Sequence, residues 1–219
     1  MENWFETRSP LIDGDLESQL SQLLGTLQVP VFVTSIVDTR EKSMEMGTFL
    51  NHLSGLSPMI TCCFLSPDED PALAQTMEAD MLPVTGVGQS GEIPRMIFHG
   101  IPGGKELSSF VMALINAGQA VKPLDTSFRM AIDTISTPIT LEVCVSLACH
   151  HCAQLVTAAQ RIAWENPMVT AHMIDANLYP SLVQQFQIQR VPLLIVDHKE
   201  TYSGGKTLEE LIALLTKMK

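Results

Sequence analysis

Apolar residues recur along this chain in two alternating rhythms. Spacings of three and four residues, as in Leu20, Leu24 and Leu27 and again in Phe128, Ile132 and Ile135, predict helices with one buried face. A short apolar run follows each of them. Pro30-Val31-Phe32-Val33 follows the first and Pro138-Ile139-Thr140-Leu141 the second, and each reads as the start of a buried strand. The likeness between the two stretches extends to their far ends. Gly103-Gly104-Lys105-Glu106-Leu107, then Phe110, Val111 and Leu114, parallels Gly204-Gly205-Lys206-Thr207-Leu208, then Leu211, Ile212 and Leu215. The chain is therefore an internal repeat, with the second copy shorter between these anchors by a hairpin loop.

Strands are expected around 29–36, 59–64, 83–87 and 94–99 in the first copy, and around 139–145, 169–174, 192–196 and 200–203 in the second. Helices are expected near 40–53, 71–79 and 106–117, then 151–164, 179–186 and 208–217. Thr207 and Glu210 have the spacing of a capping box for the last helix, and Gly118 suits the end of the helix before the junction. Helices alternating with strands, closed by a hairpin, make each copy a small α/β sandwich. The junction from Gly118 to Pro123 is short, so two domains, 1–121 and 122–219, are expected to pack as one unit.

Composition narrows the function. A hydrophobic content of 46% indicates a folded chain, and no apolar run approaches the roughly 18 residues of a membrane span. A net charge of −11, with only 13 Lys and Arg, argues against nucleic-acid binding and against anionic membrane surfaces. The start, Met1-Glu2-Asn3-Trp4-Phe5-Glu6, lacks a basic segment followed by an apolar one, and five cysteines do not suit a secreted disulfide framework. The expected compartment is the cytoplasm.

The chemistry concentrates at Cys149-His150-His151-Cys152. The strand 139–145 precedes it, and Cys152, Leu155, Val156, Ala159, Ile162 and Ala163 continue from it at helical spacing until Asn166-Pro167. Unpaired N–H groups and the positive end of a helix dipole stabilise a thiolate at such a junction. A zinc site would need two further ligands at workable spacing, and none is present: His150 and His151 lie inside the pair, Cys62 and Cys63 are adjacent, and His172 and His198 are isolated. No metal is expected. Val191-Pro192 enters the apolar run Leu193-Leu194-Ile195-Val196, and a proline entering a strand opposite a CxxC completes a thioredoxin-type active site. Pro192 is expected to be cis, with the Val191 backbone offered to a partner segment. In the first copy Pro83 takes the place of Pro192, while Glu41 and Met44 stand where the cysteines would be. Cys62, Cys63 and Cys144 lie in apolar strands and read as small buried hydrophobes. Gly86, Gly88 and Gly91 form only a loose GxGxxG that leads into Ile93-Pro94 rather than a helix, so it is no dinucleotide fingerprint.

Taken with Ser146-Leu147-Ala148 before the CxxC, Ile174-Asp175-Ala176, Val191-Pro192 and Ile101-Pro102-Gly103-Gly104-Lys105-Glu106, this plan resembles the N-terminal domain of the alkyl hydroperoxide reductase flavoprotein, AhpF. The resemblance spans essentially the whole chain. It implies two tandem thioredoxin-like folds with a redox pair only in the second, and a role in peroxide detoxification and cell redox homeostasis. Electrons would come from a disulfide reductase and pass to a peroxiredoxin or another disulfide protein. It departs from the family at Ala153, where proline usually follows the second cysteine. It departs again at Lys219, where the sequence stops with no flavin or pyridine-nucleotide domain. A free-standing relative or isolated domain is expected, with no bound flavin and no cofactor beyond the Cys149–Cys152 disulfide.

The expected activity is thiol–disulfide exchange, with Cys149 attacking and Cys152 resolving. Val191, Pro192, His150 and His151 face the substrate; the histidines either lower the Cys149 pKa or line the surface. Glu142, out of step with Leu141, Val143 and Val145, is expected to point away from the pair. The resemblance supplies a proton acceptor instead: Glu106, presented across the domain interface. The competing reading is a non-catalytic thioredoxin-like adaptor that uses its two folds as a recognition surface.

Overall fold

The computed structural model describes residues 4–119 and 122–218. Met1–Asn3, on which part of the reading of the chain's start rests, and residues 120 and 121, where the domain boundary is expected, lie outside the described residues. The chain forms two compact units. Of the described residues, one comprises 4–94, 98–101 and 117–119; the other comprises 95–97, 102–116 and 122–218. The segment 102–116, which the repeat assigns to the first copy, thus groups with the second unit.

In the first unit α1 (Gly14–Leu24) starts at Asp13, whose carboxylate accepts the Leu16 N–H, and buries Leu20 and Leu24. β1 (Val31–Ile36) runs parallel to β2 (Ile60–Leu65) and antiparallel to β3 (Val84–Gly88); β4 (Met96–His99) follows β3 in the strand order, and only its residues Phe98 and His99 belong to this unit. α2 (Glu41–Ser54) joins β1 to β2 and buries Met46, Phe49, Leu50 and Leu53. α3 (Pro71–Thr76) completes the unit. β2 lies at the edge of this order, and only one of its residues, Ile60, is fully buried. The reading of both vicinal cysteines as buried therefore needs correction. Cys63 is exposed, and Cys62 is half-buried with its thiol 3.5 Å from the Leu50 carbonyl. Successive side chains of a strand point to opposite faces, and the face of β2 that carries Thr61 and Cys63 is open to solvent.

The second unit repeats the plan. α5 (Thr126–Asp133) leads to β5 (Ile139–Val145), then α6 (Cys152–Glu165), β6 (Val169–Asp175), α7 (Pro180–Gln185), the hairpin β7 (Leu193–Val196) and β8 (Glu200–Ser203), and α8 (Leu208–Leu215). The strand order is β6-β5-β7-β8, with β5 parallel to β6 and antiparallel to β7. α6 packs Leu155, Val156, Ala159, Ile162 and Ala163 on this sheet; at α8, Thr207 and Glu210 close a capping box. The unit also holds the 3-10 turn Gly104–Glu106 and the helix after it, α4 (Leu107–Gly118), as far as Asn116. No helix among the described residues is long and apolar enough to cross a membrane.

Candidate active site

β5 is a central strand, buried from Leu141 to Val145, and it delivers the chain to the loop 146–151 at one end of the sheet. Cys149 N–H donates to the Ser146 carbonyl (2.8 Å), a tight turn that precedes α6. Cys149 and Cys152 are joined by a disulfide with Cα atoms 5.6 Å apart. Cys149 is half-buried, whereas Cys152, the first helical residue, is fully buried. Solvent and a partner can therefore reach the first sulfur and not the second. His151 caps the helix through its backbone without a side-chain hydrogen bond. The leading N–H groups of α6 thus remain available to a negative charge on the cysteine loop.

The Val191–Pro192 peptide is cis, as expected, and so is Leu82–Pro83 in the first unit. Pro192 is buried at the start of β7, and the Val191 carbonyl oxygen lies 4.0 Å from Cys149 Sγ. Gly204 N–H donates to the Pro192 carbonyl (2.9 Å), just as Gly100 N–H donates to that of Pro83 (2.9 Å). The backbone frame is thus the same in both units, and only the second carries cysteines on it. His150 and His151 are both exposed.

Glu106 is not on the surface: its side chain is fully buried. Ser109 Oγ lies 2.8 Å from its Oε2, and Oε1 has no hydrogen-bond partner among the described residues. Burial pushes the carboxyl up to about 7, opposed by the Ser109 hydroxyl and reinforced by the charge of Asp175. The turn that carries Glu106 packs against α6, and Lys105 N–H donates to the Leu147 carbonyl (2.9 Å), two residues before Cys149. Gly104 makes this approach possible. It has φ +55°, and a Cβ there would stand 2.6 Å from the Leu147 oxygen. Gly104→Ala is expected to cost about 1–3 kcal/mol of stability and to slow disulfide exchange, read from the urea midpoint and from turnover of 2-hydroxyethyl disulfide.

Glu142, expected to point away from the cysteine pair, is itself buried. β5 has a neighbouring strand on both sides, and both its faces are covered. The Glu142 carboxylate pairs with His198 Nδ1 at 2.9 Å; burial still raises its pKa. Cys144 is buried on the same strand with its thiol pushed up to about 12, first by burial and then by Glu142. It is an inert core residue.

Sequence reasoning did not single out Ser109, Asp175 or Lys206 as site residues. Ser109 was legible as a helical neighbour of Glu106, three residues on. Lys206 lies in the Gly-Gly-Lys run that the two copies share, a pattern that marks duplication and no chemistry.

Residues 139–216 match the Thioredoxin domain family. Over 93% of the chain, the structure superposes on the NTD_N/C domain of alkylhydroperoxide reductase AhpF from Enterococcus faecalis, covering 99% of that chain at 32% identity and a TM-score of 0.87. The alkyl hydroperoxide reductase protein AhpF of Staphylococcus epidermidis is 27% identical over 94% of this chain. A Bacillus subtilis NADH dehydrogenase is 26% identical over 93% of it. The chain spans 38% of the length of each of these two curated relatives.

Proposed function

Because the chain belongs to the AhpF family of alkyl hydroperoxide reductase proteins, matching their N-terminal tandem thioredoxin-like part, we propose that it is a thiol–disulfide oxidoreductase. In this reading it carries two electrons from a dithiol reductase to a disulfide protein, of which a peroxiredoxin is the leading candidate, in the cytoplasm. One observation carries the proposal. The accessible sulfur of a disulfide lies at a strand–helix junction against the backbone carbonyl that precedes a buried proline, with the second sulfur enclosed behind it.

In the reduced protein Cys149 attacks as thiolate, favoured by the amino end of α6. It bonds to one sulfur of the partner disulfide and expels the other as thiolate, which takes a proton from solvent. Cys152 then gives its proton to Glu106 and attacks Cys149 Sγ. The partner's second sulfur leaves as thiolate and takes up the proton that Glu106 holds, and the intramolecular disulfide re-forms. Two electrons and two protons pass to the partner, and the donor dithiol restores them. Val191 supplies strand-like hydrogen bonds to the partner segment, and His150 and His151 flank it. The chemistry resides in the cysteine pair and calls for no bound flavin.

Cys152→Ser, which leaves Cys149 without its resolving thiol, tests the proposal. It is expected to trap the disulfide partner as a covalent adduct that dithiothreitol releases, detected by non-reducing electrophoresis and mass spectrometry. The adaptor reading draws on the first unit, which keeps the proline frame without cysteines. If the double variant lacking both cysteines retains the same partners equally well, the protein is an adaptor.

A further inference from the structure

A groove of about 380 Å³ opens beside the disulfide, running from Val191, Pro192 and His151 to Gly205, Lys206 and Glu210. Its charge is at odds with that of the chain. Against a net charge of −11, its lining holds one lysine and one glutamate, with an arginine exposed next to it in the chain. Lys206 lines it directly, and Arg190 is exposed next to Val191. Neither forms a salt bridge among the described residues. The Lys206 ammonium lies 5.9 Å from the centroid of the Tyr202 ring, within cation–π range. His151 adds an exposed imidazole to the lining. The one carboxylate lining the groove, Glu210, accepts the Thr207 N–H (2.8 Å) in the capping box of α8; that bond, and in smaller part the charge of Lys206, hold its pKa below the ordinary value.

The groove also suits main chain. Gly204 and Gly205 present backbone without side chains, and a Cβ at Gly204 would meet nothing within 4 Å. An extended segment bonded to the Val191 backbone therefore has an open path toward Lys206. We infer that this groove selects an acidic polypeptide: the disulfide partner presents its reactive cysteine in a segment with carboxylates beside it, which Lys206 and Arg190 pair. This rests on the oxidoreductase reading and adds the chemistry of its substrate. Complementary charge at a rim acts chiefly on encounter rate and partner choice, so the preference is kinetic and sensitive to salt.

The test uses three probes with the pre-reduced full chain in single turnover. One is uncharged 2-hydroxyethyl disulfide. The others are two disulfide-linked peptide dimers, identical except that Glu or Lys occupies the positions two and three residues either side of the cysteine. At low ionic strength the Glu peptide is expected to be reduced about fivefold faster than the Lys peptide, with the gap closing in high salt. In Lys206→Glu the ratio of the two rate constants should invert. A ratio measured on one sample does not depend on how much of that sample is active, so partial misfolding of the variant does not blur it. Equal rates for the two peptides on the wild-type protein, or an unaltered ratio in Lys206→Glu, would overturn the inference. Failure of the wild-type protein to reduce even the uncharged disulfide would overturn the oxidoreductase reading instead.

Discussion

Cys149→Ser is expected to abolish disulfide reduction, with a loss on the order of 10³-fold or more, because exchange requires a thiolate and a serine hydroxyl does not ionise near neutral pH. The other thiols of the chain do not replace it. Cys152 is fully enclosed, out of a partner's reach. Burial holds the thiols of Cys144 and Cys62 up at about 12, where almost no thiolate exists at pH 7. Cys63 is exposed but lies on β2 in the first unit, beside a thiol that burial keeps protonated and unable to resolve what Cys63 attacks. It is a source of slow stoichiometric background, which Cys63→Ser removes. Turnover of 2-hydroxyethyl disulfide with dithiothreitol as donor, compared among wild type, Cys149→Ser and Cys63→Ser, is the measurement. Wild-type turnover by Cys149→Ser would sink the mechanism.

What was legible in advance follows the range of the forces involved. The CxxC, the helix after it and the proline before β7 are local patterns, and the sequence places each within a residue or two. The helices expected at 71–79 and 179–186 end earlier, at Thr76 and Gln185, for a shared reason. Glu78 (φ 53°) and Gln187 (φ 50°) turn the chain into the left-handed region just after them, a stop that neither residue type announces. Burial was harder to read where it depends on neighbours distant in sequence. Glu142 alternates with Leu141 and Val143, yet it is buried because both faces of its strand are covered. The apolar run 59–65 reads as buried, yet the face of β2 that carries Cys63 is open to solvent. In each case what packs on the sheet faces decides the outcome, and that is not written in either strand. The position of Glu106 is tertiary in the same sense. Its turn is fixed by a bond to Leu147, roughly forty residues away in the chain, through a glycine whose positive φ only the fold requires.

Glu106→Gln is expected to separate the two thiol steps and to change how stability depends on pH. With its carboxyl raised to about 7, Glu106 is close to half-protonated at neutral pH, the condition under which it can both accept the Cys152 proton and release it again. Glutamine keeps the shape of the side chain and its bond to Ser109 but cannot take a proton. Resolution near pH 7 should slow by about ten- to a hundredfold, so that the mixed disulfide formed by Cys149 accumulates. The same raised pKa sets the sign of the stability effect. Unfolded, the carboxyl ionises around its ordinary value of 4.5; folded, it holds its proton up to about 7. Between those values the native state binds more protons than the unfolded state. The stability that the protonated group contributes is therefore fully present below pH 4.5 and is lost as pH rises through 7. Glutamine carries no such dependence, so the variant's urea midpoint should fall less from pH 5 to pH 8, and the variant should be the more stable protein at pH 8. Quenched-flow mass spectrometry of the mixed disulfide and urea titrations at the two pH values test the two halves separately. If the adduct rises and decays in Glu106→Gln as it does in the wild-type protein at pH 7, Glu106 is not the proton acceptor, whatever its effect on stability.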